Sequence, residues 1–231
     1  MSFVFVFVFF LGLPSPAALF PLNAQFGTAD ISSNESPPGN ALGVRLADGP
    51  DGKPGGSYYF NGSSTSYIEF PGSSALDTRY SLTILADVFP ETSGPVLNYN
   101  TYNWGVHLLI GMEIGSLFSG LSDRYTFKHT DPVLSNSTKF GKKWHYVGAT
   151  YDYLSGIARV WIDGAKAGEL QVGKMEIATN DSVRMGAVTN HRSYFRGRVS
   201  CLQIYNRALT QDEIEAVKSR CLKISMFLLL Y

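Results

Sequence analysis

Apolar and polar residues alternate in short runs along much of this chain, whereas long helical patterns are nearly absent. In Ser66–Phe70, for example, Ile68 and Phe70 fall on one face of an extended chain, a period of two that indicates a half-buried strand. Tyr80–Pro90 carries apolar residues on both faces, as expected of a central strand covered by two layers. Similar runs occupy residues 144–152, 156–163, 165–170, 182–187 and 196–206. The pattern predicts an all-β fold of two antiparallel sheets, a sandwich or jelly roll.

Two local motifs predict how these runs are joined and how the domain ends. Asp163 and Gly164 lie between two strand-like runs and predict a two-residue hairpin turn, because both central positions of such a turn need a positive φ. Thr210 and Glu213 have the spacing of a capping box, which predicts a helix over Gln211–Ser219. We therefore expect a β-sandwich with one short C-terminal helix.

The two ends of the chain are apolar. Phe3–Leu13 is followed by a segment rich in Pro, Ser and Ala. This order matches a secretory signal, with Ser15 and Ala17 as the small residues before the cleavage point, so we expect residues 1–17 to be a signal peptide. A buried first strand is the alternative, because alternating Phe and Val favour β structure. Residues 222–231 are too few to span a bilayer as a helix, and we expect this apolar tail to lie outside the domain at 18–221.

An oxidising, extracellular location favours a disulfide between Cys201 and Cys221, the two cysteines of the chain. No CxxC redox motif is present, and two cysteines alone cannot complete a zinc site. Sequons for N-glycosylation agree with export and occur at Asn34, Asn61, Asn136 and Asn180. The sequence therefore predicts a secreted glycoprotein without a stable membrane span.

Charge and length narrow the range of functions. The 19 Lys and Arg residues balance the 19 Asp and Glu residues, so a basic surface for nucleic acid is not expected. Strand-rich domains of about 200 residues commonly form a single unit. No internal repeat or interdomain linker is evident, and one domain is predicted.

Three stretches of the sequence resemble a known family. They read FNGSSTSYIEFPGSSALDTRYSLTILADVFP, KKWHYVGATYDYLSGIARVWIDGAKAG and YFRGRVSCLQIYNRALTQDEIEAV. In this order they resemble the laminin G-like branch of the concanavalin A-like jelly rolls, near the pentraxins, over about Leu19–Cys221. The resemblance implies a jelly-roll fold and an extracellular binding role. The cysteine pair also resembles a bridge found in some extracellular members.

One departure from the family bears on calcium. Members often carry an Asp after the hydrophobic residue of the closing strand, where this chain has Ser200 after Val199. A Ca²⁺ site is therefore left open, no ligands are named for it, and no other cofactor is predicted.

Glycosidases share this fold class, so an enzyme is a serious alternative. A retaining glycosidase needs two carboxylates about 5–5.5 Å apart. On the strand-like runs Glu69 and Glu113 each occur alone, and the acidic cluster around Glu213 lies on the predicted helix. No serine lies in a G-x-S-x-G motif, and the four histidines lack metal-ligand spacing. His145 is expected to pack or to form hydrogen bonds. The sequence favours a non-catalytic protein.

The segment Asn98–Gly105, NYNTYNWG, interleaves aromatic and amide side chains in a predicted loop. Aromatic faces beside amide groups suit recognition of a sugar or a protein, and the candidate ligand-binding residues are Tyr99, Tyr102, Asn103 and Trp104. An ordinary strand connection with half-buried tyrosines is the alternative. Trp144 and Trp161 occupy regular strand positions and are expected in the core.

The function favoured by these observations is a secreted binding or adhesion module that recognises a glycan or an extracellular matrix protein. The rival classes are a structural matrix component without a discrete site and a glycoside hydrolase of the same fold. Fold by itself does not choose between them.

Overall fold

The structure of the protein is a computed structural model that describes residues 12–100, 105–111, 115–135, 140–188 and 192–227. Over these residues the strands form two antiparallel sheets, one of eight strands and one of seven. The expected all-β sandwich is confirmed.

The eight-stranded sheet contains β1 (Ala18–Phe20), β3 (Arg45–Ala47), β4 (Ser57–Asn61), β6 (Leu82–Pro90), β11 (His145–Asp152), β12 (Ile157–Ile162), β13 (Ala165–Gln171) and β15 (Arg196–Tyr205). Its strand order is β13-β12-β11-β6-β15-β4-β3, and β1 pairs with the second half of β15. The seven-stranded sheet contains β2 (Asn40–Leu42), β5 (Tyr67–Phe70), β7 (Gly94–Tyr99), β8 (His107–Ile110), β9 (Leu117–Gly120), β10 (Val133–Leu134) and β14 (Val183–Met185). Its order is β10-β9-β8-β7-β14-β5-β2.

The main core lies between the two sheets. Ile84, Ala86 and Val88 of the central strand β6 point into it, and Ile68 and Phe70 of β5 meet them from the other sheet. The alternation seen in the sequence therefore has a direct structural cause, because every second residue of a strand points to the same face.

A second, smaller core explains why β6 is apolar on both faces. Leu85 lies on the outer face of the eight-stranded sheet, where it packs with Trp161 of β12 against Ile214 and Val217. These last two residues belong to the helix α1 (Gln211–Val217). The C-terminal helix thus covers part of the outer face of this sheet.

Both predicted local motifs form. Asp163 and Gly164 have φ values of +54° and +90° and connect β12 to β13. Thr210 caps α1: its Oγ1 accepts a hydrogen bond from Glu213 N, and Glu213 accepts one from Thr210 N. A second helix, α2 (Arg220–Phe227), was not predicted and carries helical structure into the expected tail.

At the other end, the strand pairing begins close to the predicted cleavage point. Ala17 N donates a hydrogen bond of 2.7 Å to Ile204 O, and Ala18 is fully buried. The Asn34 side-chain nitrogen donates to Ala17 O at 2.8 Å. Among the described residues no helix is long and apolar enough to cross a membrane.

Candidate functional site

The connection between β9 and β10 folds over the end of β13 and encloses a pocket of about 550 Å³. This volume lies within the usual range for small-ligand sites. Its lining combines acidic, basic, hydroxyl and apolar side chains, contributed by Asp123, Thr126, Lys128, His129, Thr130, Asp131, Leu170, Gln171, Val172 and Met175. We call this cavity the loop pocket.

The wall formed by the end of β13 is held in place by hydrogen bonds. Gln171 Nε2 donates to Ser155 O at 2.8 Å and to Gly156 O at 3.1 Å. The Tyr151 hydroxyl accepts a 2.9 Å hydrogen bond from Met175 N. Val172 N and Gly173 N also donate to Gly156 O, at 2.9 and 3.0 Å. Because the chain here is tied to the neighbouring hairpin and to β11, this wall is preformed.

Asp123 lines the opposite wall, and one of its two carboxylate oxygens can still accept a hydrogen bond from a ligand. Its Oδ1 accepts hydrogen bonds from Tyr125 N, Thr126 N and Thr126 Oγ1 at 2.8–3.0 Å. The hydrogen bond from Thr126 N is the main cause that lowers the pKa of Asp123. This carboxyl is therefore ionised at neutral pH. Its Oδ2 accepts no hydrogen bond from the described residues and can accept one from a ligand.

Tyr125, beside these wall residues in the chain, is an exposed aromatic residue with a fixed orientation. The residue is 65% exposed. Its hydroxyl accepts a 2.8 Å hydrogen bond from Arg79 and donates one of 2.8 Å to Glu176. Arg79 Nε in turn donates to the same Glu176 oxygen at 2.6 Å. The ring therefore faces solvent while its hydroxyl is held from two sides.

A second ion pair fixes the same loop. Both terminal nitrogens of Arg124 donate to the Asp77 carboxylate at 2.7 Å, and Thr179 Oγ1 donates to it at 3.0 Å. The hydrogen bonds from Arg124 are the main cause that lowers the pKa of Asp77. This lowered pKa keeps the ion pair charged. The loop that carries Tyr125 is thus anchored to two other loops, and its conformation is determined before any ligand arrives.

The outer face of the seven-stranded sheet is polar but different in character. Glu69 is ion-paired with Arg184, whose guanidinium lies 4.1 Å from the centre of the Tyr67 ring. On β7, Asn98 is 1% exposed, and its Oδ1 meets no hydrogen-bond partner in the part of the chain that the structure describes. On β8, burial lowers the pKa of His107 to about 4. The isolated Glu69 of the sequence analysis is therefore engaged by a cation. Nowhere in the described ranges do three His, Cys, Asp or Glu side chains converge as metal ligands would.

A family model described as the concanavalin A-like lectin/glucanases superfamily, of laminin G type, matches residues 61–215. The chain belongs to this superfamily. The match includes the strands that carry the loop pocket and ends within α1, which confirms the resemblance seen in the sequence motifs. No significantly similar sequence is found among curated proteins.

Solved structures with the same fold include the binding domain of Paraclostridial mosquitocidal protein 1, at 19% identity and a TM-score of 0.67. Another is the botulinum neurotoxin serotype D ligand-binding domain in complex with N-acetylneuraminic acid, at 12% identity and a TM-score of 0.68. A third is the binding domain of botulinum neurotoxin serotype C1, at 13% identity and a TM-score of 0.67. The matches cover 83%, 89% and 90% of this chain but 49%, 50% and 52% of those chains. The chain therefore spans about half the length of these proteins, and the similarity concerns the fold.

Of the four candidate ligand-binding residues predicted from the sequence, one lies in the core and three lie outside the described residues. Tyr99 is fully buried and its hydroxyl donates to Leu76 O at 2.9 Å, so its ring belongs to the core and not to a ligand-facing surface. Alternation explains this correction, because Tyr99 lies on the inward face of β7. The other candidates, Tyr102, Asn103 and Trp104, lie outside the described residues.

The predicted disulfide is confirmed. Cys201 and Cys221 are bonded, with Cα atoms 5.8 Å apart. Both pack with Leu19, at the point where the two ends of the domain meet.

The predicted sequons differ in their surroundings. Asn61 and Asn180 are exposed, as is Asn34, whose side-chain nitrogen is engaged by Ala17 O. Asn136 lies outside the described residues. Attachment of sugars at these sites stays a prediction.

The two tryptophans that were expected in the core differ from each other in their surroundings. Trp161 is 4% exposed, and its ring nitrogen donates to Thr150 Oγ1 at 3.0 Å, as expected of a core residue. Trp144 is half-buried on the outer face of the eight-stranded sheet, so its assignment to the core was wrong. His145 is buried and contacts Asp163 and Phe140 O, in the structural role expected of it.

The sequence analysis missed the loop pocket. Its rim segment, SDRYTFKHTD at residues 122–131, interleaves aromatic, charged and hydroxyl residues as Asn98–Gly105 does. That local signal was available. The contribution of Gln171 and Met175 was not, because they reach the site from the end of β13 and the segment after it, about 45 residues away in the chain.

Proposed function

We propose that this protein is a secreted, non-catalytic glycan-binding module and that its loop pocket receives a neutral sugar residue. A pyranose ring has an apolar C–H face and a rim of hydroxyl groups. It is therefore matched by an aromatic face beside a few fixed polar groups. The observation that carries the proposal is the preformed loop pocket. Tyr125 does not line it, but its exposed ring, held by the hydroxyl, immediately precedes the lining residue Thr126 in the chain.

The polar groups of the pocket suit hydroxyl recognition. Asp123 Oδ2 and the Asp131 carboxylate can accept hydrogen bonds from sugar hydroxyls, while Lys128 and Thr126 can donate to them. Leu170, Val172 and Met175 supply apolar surface for the carbon skeleton. Because the loop is anchored through Asp77 and Glu176, little conformational entropy is lost when the ligand binds.

The non-catalytic assignment is supported by the protonation state of the site. Glycoside hydrolysis needs one carboxyl group that is protonated at working pH, usually through a raised pKa. The pKa of Asp123 is lowered, so this group suits hydrogen-bond acceptance and not proton donation. Glu69 is paired with Arg184.

Secretion and glycan binding are supported by different observations. The apolar start of the chain and the Cys201–Cys221 bond favour an oxidising compartment. Membership of a lectin-type superfamily and a fold shared with toxin binding domains, one of them crystallised with N-acetylneuraminic acid, favour a sugar ligand. Since those chains are about twice as long, the part that binds their ligand need not be the part that this chain matches.

The test is a glycan array followed by calorimetry with the best neutral ligand. We expect Tyr125→Ala to weaken binding about tenfold or more, equivalent to about 1.4 kcal/mol. Tyr125→Phe keeps the ring but loses its hydrogen bonds to Arg79 and Glu176, so its affinity should lie between those of Tyr125→Ala and the unmodified protein. Leu154→Ala is the control, since Leu154 is 76% exposed on the neighbouring hairpin and neither lines the pocket nor adjoins a lining residue in the chain.

Three results would overturn the proposal. The first is a folded protein that binds no glycan on the array. The second is binding that Tyr125→Ala leaves unchanged. The third is release of reducing sugar from the bound glycan, which would make the protein an enzyme.

A further inference from the structure

The outer face of the eight-stranded sheet carries a row of alternating arginine and aromatic side chains far from the loop pocket. Arg45 on β3 pairs in register with Tyr59 on β4, Tyr59 pairs with Arg198 on β15, and Arg198 pairs with Phe89 on β6. Trp144 extends the row beyond β6, with its ring centre 5.9 Å from that of Phe89. We call these five residues the arginine–aromatic row.

The row is stacked. The Arg45 guanidinium carbon lies 4.4 Å from the centre of the Tyr59 ring. That of Arg198 lies 4.0 Å from the centre of the Phe89 ring and 5.5 Å from that of Trp144. A guanidinium that lies over a ring keeps the hydrogen-bond donors at its edge available for a carboxylate or a sulfate.

No carboxylate within the described ranges neutralises the two arginines of the row. The ion pair nearest to the row uses Arg196, which binds Glu91 at 2.9 Å. The one hydrogen bond that the Arg198 side chain makes to the described residues is long, 3.5 Å to Asp48 O. Unpaired surface cations held in fixed positions are what an anionic ligand requires.

The surroundings add to the positive charge. Lys142 and Lys143 are exposed and directly precede Trp144 in the chain. Glu91 at one end of the row is compensated by Arg196, and Glu169 on β13 is compensated by Arg159 and Lys166. Asp87 also lies on this face, two residues before Phe89 on β6, so the exposed basic residues outnumber the acidic ones near the row without excluding them. Over a protein whose formal net charge is zero, this face therefore concentrates positive charge.

The geometry suits an extended ligand. Neighbouring strands lie about 4.8 Å apart, so Arg45 and Arg198, two strands apart, are separated by about 10 Å across the sheet. The helix α1 covers another part of this face, over Leu85 and Trp161. In the row, Arg45 is exposed and the other four residues are half-buried. A linear chain can lie across β3, β4, β15 and β6 and meet both arginines.

We propose that the arginine–aromatic row is a binding face for an anionic polysaccharide, whose carboxylate or sulfate groups the arginines bind. This face is separate from the loop pocket. The pocket residue Gln171 pairs with Ile157 of β12, and Ile157 pairs with Asp152 of β11. The preceding residue of β11, Tyr151, pairs with Leu82 at the start of β6, whereas Phe89 lies near the opposite end of that strand. The proposal therefore does not depend on the neutral-sugar site.

The experiment measures binding of the full chain to a heparin-derived dodecasaccharide and to an unsulfated oligo-uronate, each at low and at high salt. Arg45→Gln/Arg198→Gln should weaken binding about tenfold or more at low salt and reduce its salt dependence. Arg198→Lys keeps the charge but lacks the planar, bidentate group, so we expect an intermediate loss. The two probes show whether sulfate or carboxylate is the group recognised.

The control removes the same charge elsewhere. Lys166→Gln/Lys174→Gln changes two exposed lysines on and just after β13, at the opposite edge of the sheet from β3, and it should bind like the unmodified protein. Tyr125→Ala should also retain binding, which separates this face from the loop pocket. Circular dichroism melting of each variant checks that it is folded.

Several outcomes would overturn the proposal. Equal losses in the row variant and in the lysine control would show that only net charge matters. Failure of the folded protein to bind either polysaccharide at low salt would also refute it. Tighter binding of a Glu-rich peptide with the same dependence on Arg198 would assign the face to an acidic protein instead.

Discussion

Cys201 of β15 is bonded to Cys221 of α2 from a position where the strand is irregular. The pairing of β15 with β6 slips between Ser200 and Gln203, and Cys201 has a φ of +51°. A non-glycine residue in this region is strained by about 1–3 kcal/mol. The bulge takes Cys201 out of the regular alternation and places it against Cys221 and Leu19. The bond therefore ties the closing strand to α2, and Leu19 of β1 packs against both cysteines.

We expect loss of this bond to destabilise the protein. The variant Cys201→Ala/Cys221→Ala should have a free energy of unfolding lower by about 2–5 kcal/mol, because the crosslink no longer restricts the unfolded chain. Urea denaturation measures the change. In Cys201→Gly/Cys221→Ala the loss should be smaller, since glycine adopts a positive φ without strain. Equal midpoints for the crosslinked protein and both variants would contradict this account.

Asp87 on β6 should make stability depend on pH. This half-buried carboxyl lies between Tyr146 and Ser200 on the neighbouring strands and accepts no hydrogen bond from the described residues. Burial raises its pKa from 3.8 to about 7; attraction to Lys218 opposes this effect, and repulsion from Asp163 adds to it. The folded state thus holds this proton more tightly than the unfolded state. Its contribution to stability is present below about pH 4 and is lost as the pH rises through about 7.

The variant Asp87→Asn isolates this effect. Asparagine has the same shape and no charge, so the variant should be more stable than the unmodified protein at pH 8. From about pH 4 to 7 the free energy of unfolding of the unmodified protein should fall more steeply than that of the variant, by at most about 1.4 kcal/mol per pH unit. Urea denaturation across this range checks it. Parallel pH profiles for the two proteins would show that Asp87 is already ionised in the folded state near pH 4.

The position of the mature N-terminus should affect stability. A chain that begins at Ala18 lacks the hydrogen bond from Ala17 N to Ile204 O and the bond from Asn34 to Ala17 O. It also places a charged amino group where Ala18 is fully buried. We expect such a chain to be less stable than one that begins at Pro14, by about 1–3 kcal/mol. Thermal melting of the two recombinant proteins decides it, and equal melting temperatures would make cleavage after Ala17 compatible with the fold.

Much of the fold follows from local sequence. The alternation in β5, β6, β11 and β15, the Asp163–Gly164 turn and the capping box of Thr210 and Glu213 each involve residues close together in the chain, so their physical causes can be read locally. The disulfide could also be predicted, because its two cysteines are the only ones in the chain and the apolar start of the chain indicates an oxidising compartment.

The binding surfaces required the tertiary structure. Tyr125 is oriented by Arg79 and Glu176, which lie 46 and 51 residues away in sequence, and the arginine–aromatic row joins residues that span from Arg45 to Arg198. The burial of Tyr99 and the exposure of Trp144 likewise depend on which face each strand presents to the opposite sheet or to α1. Alternation along a strand fixes which residues share a face. Only the packing of the sheets and loops decides which face is buried, and which distant side chains meet on the one that stays open.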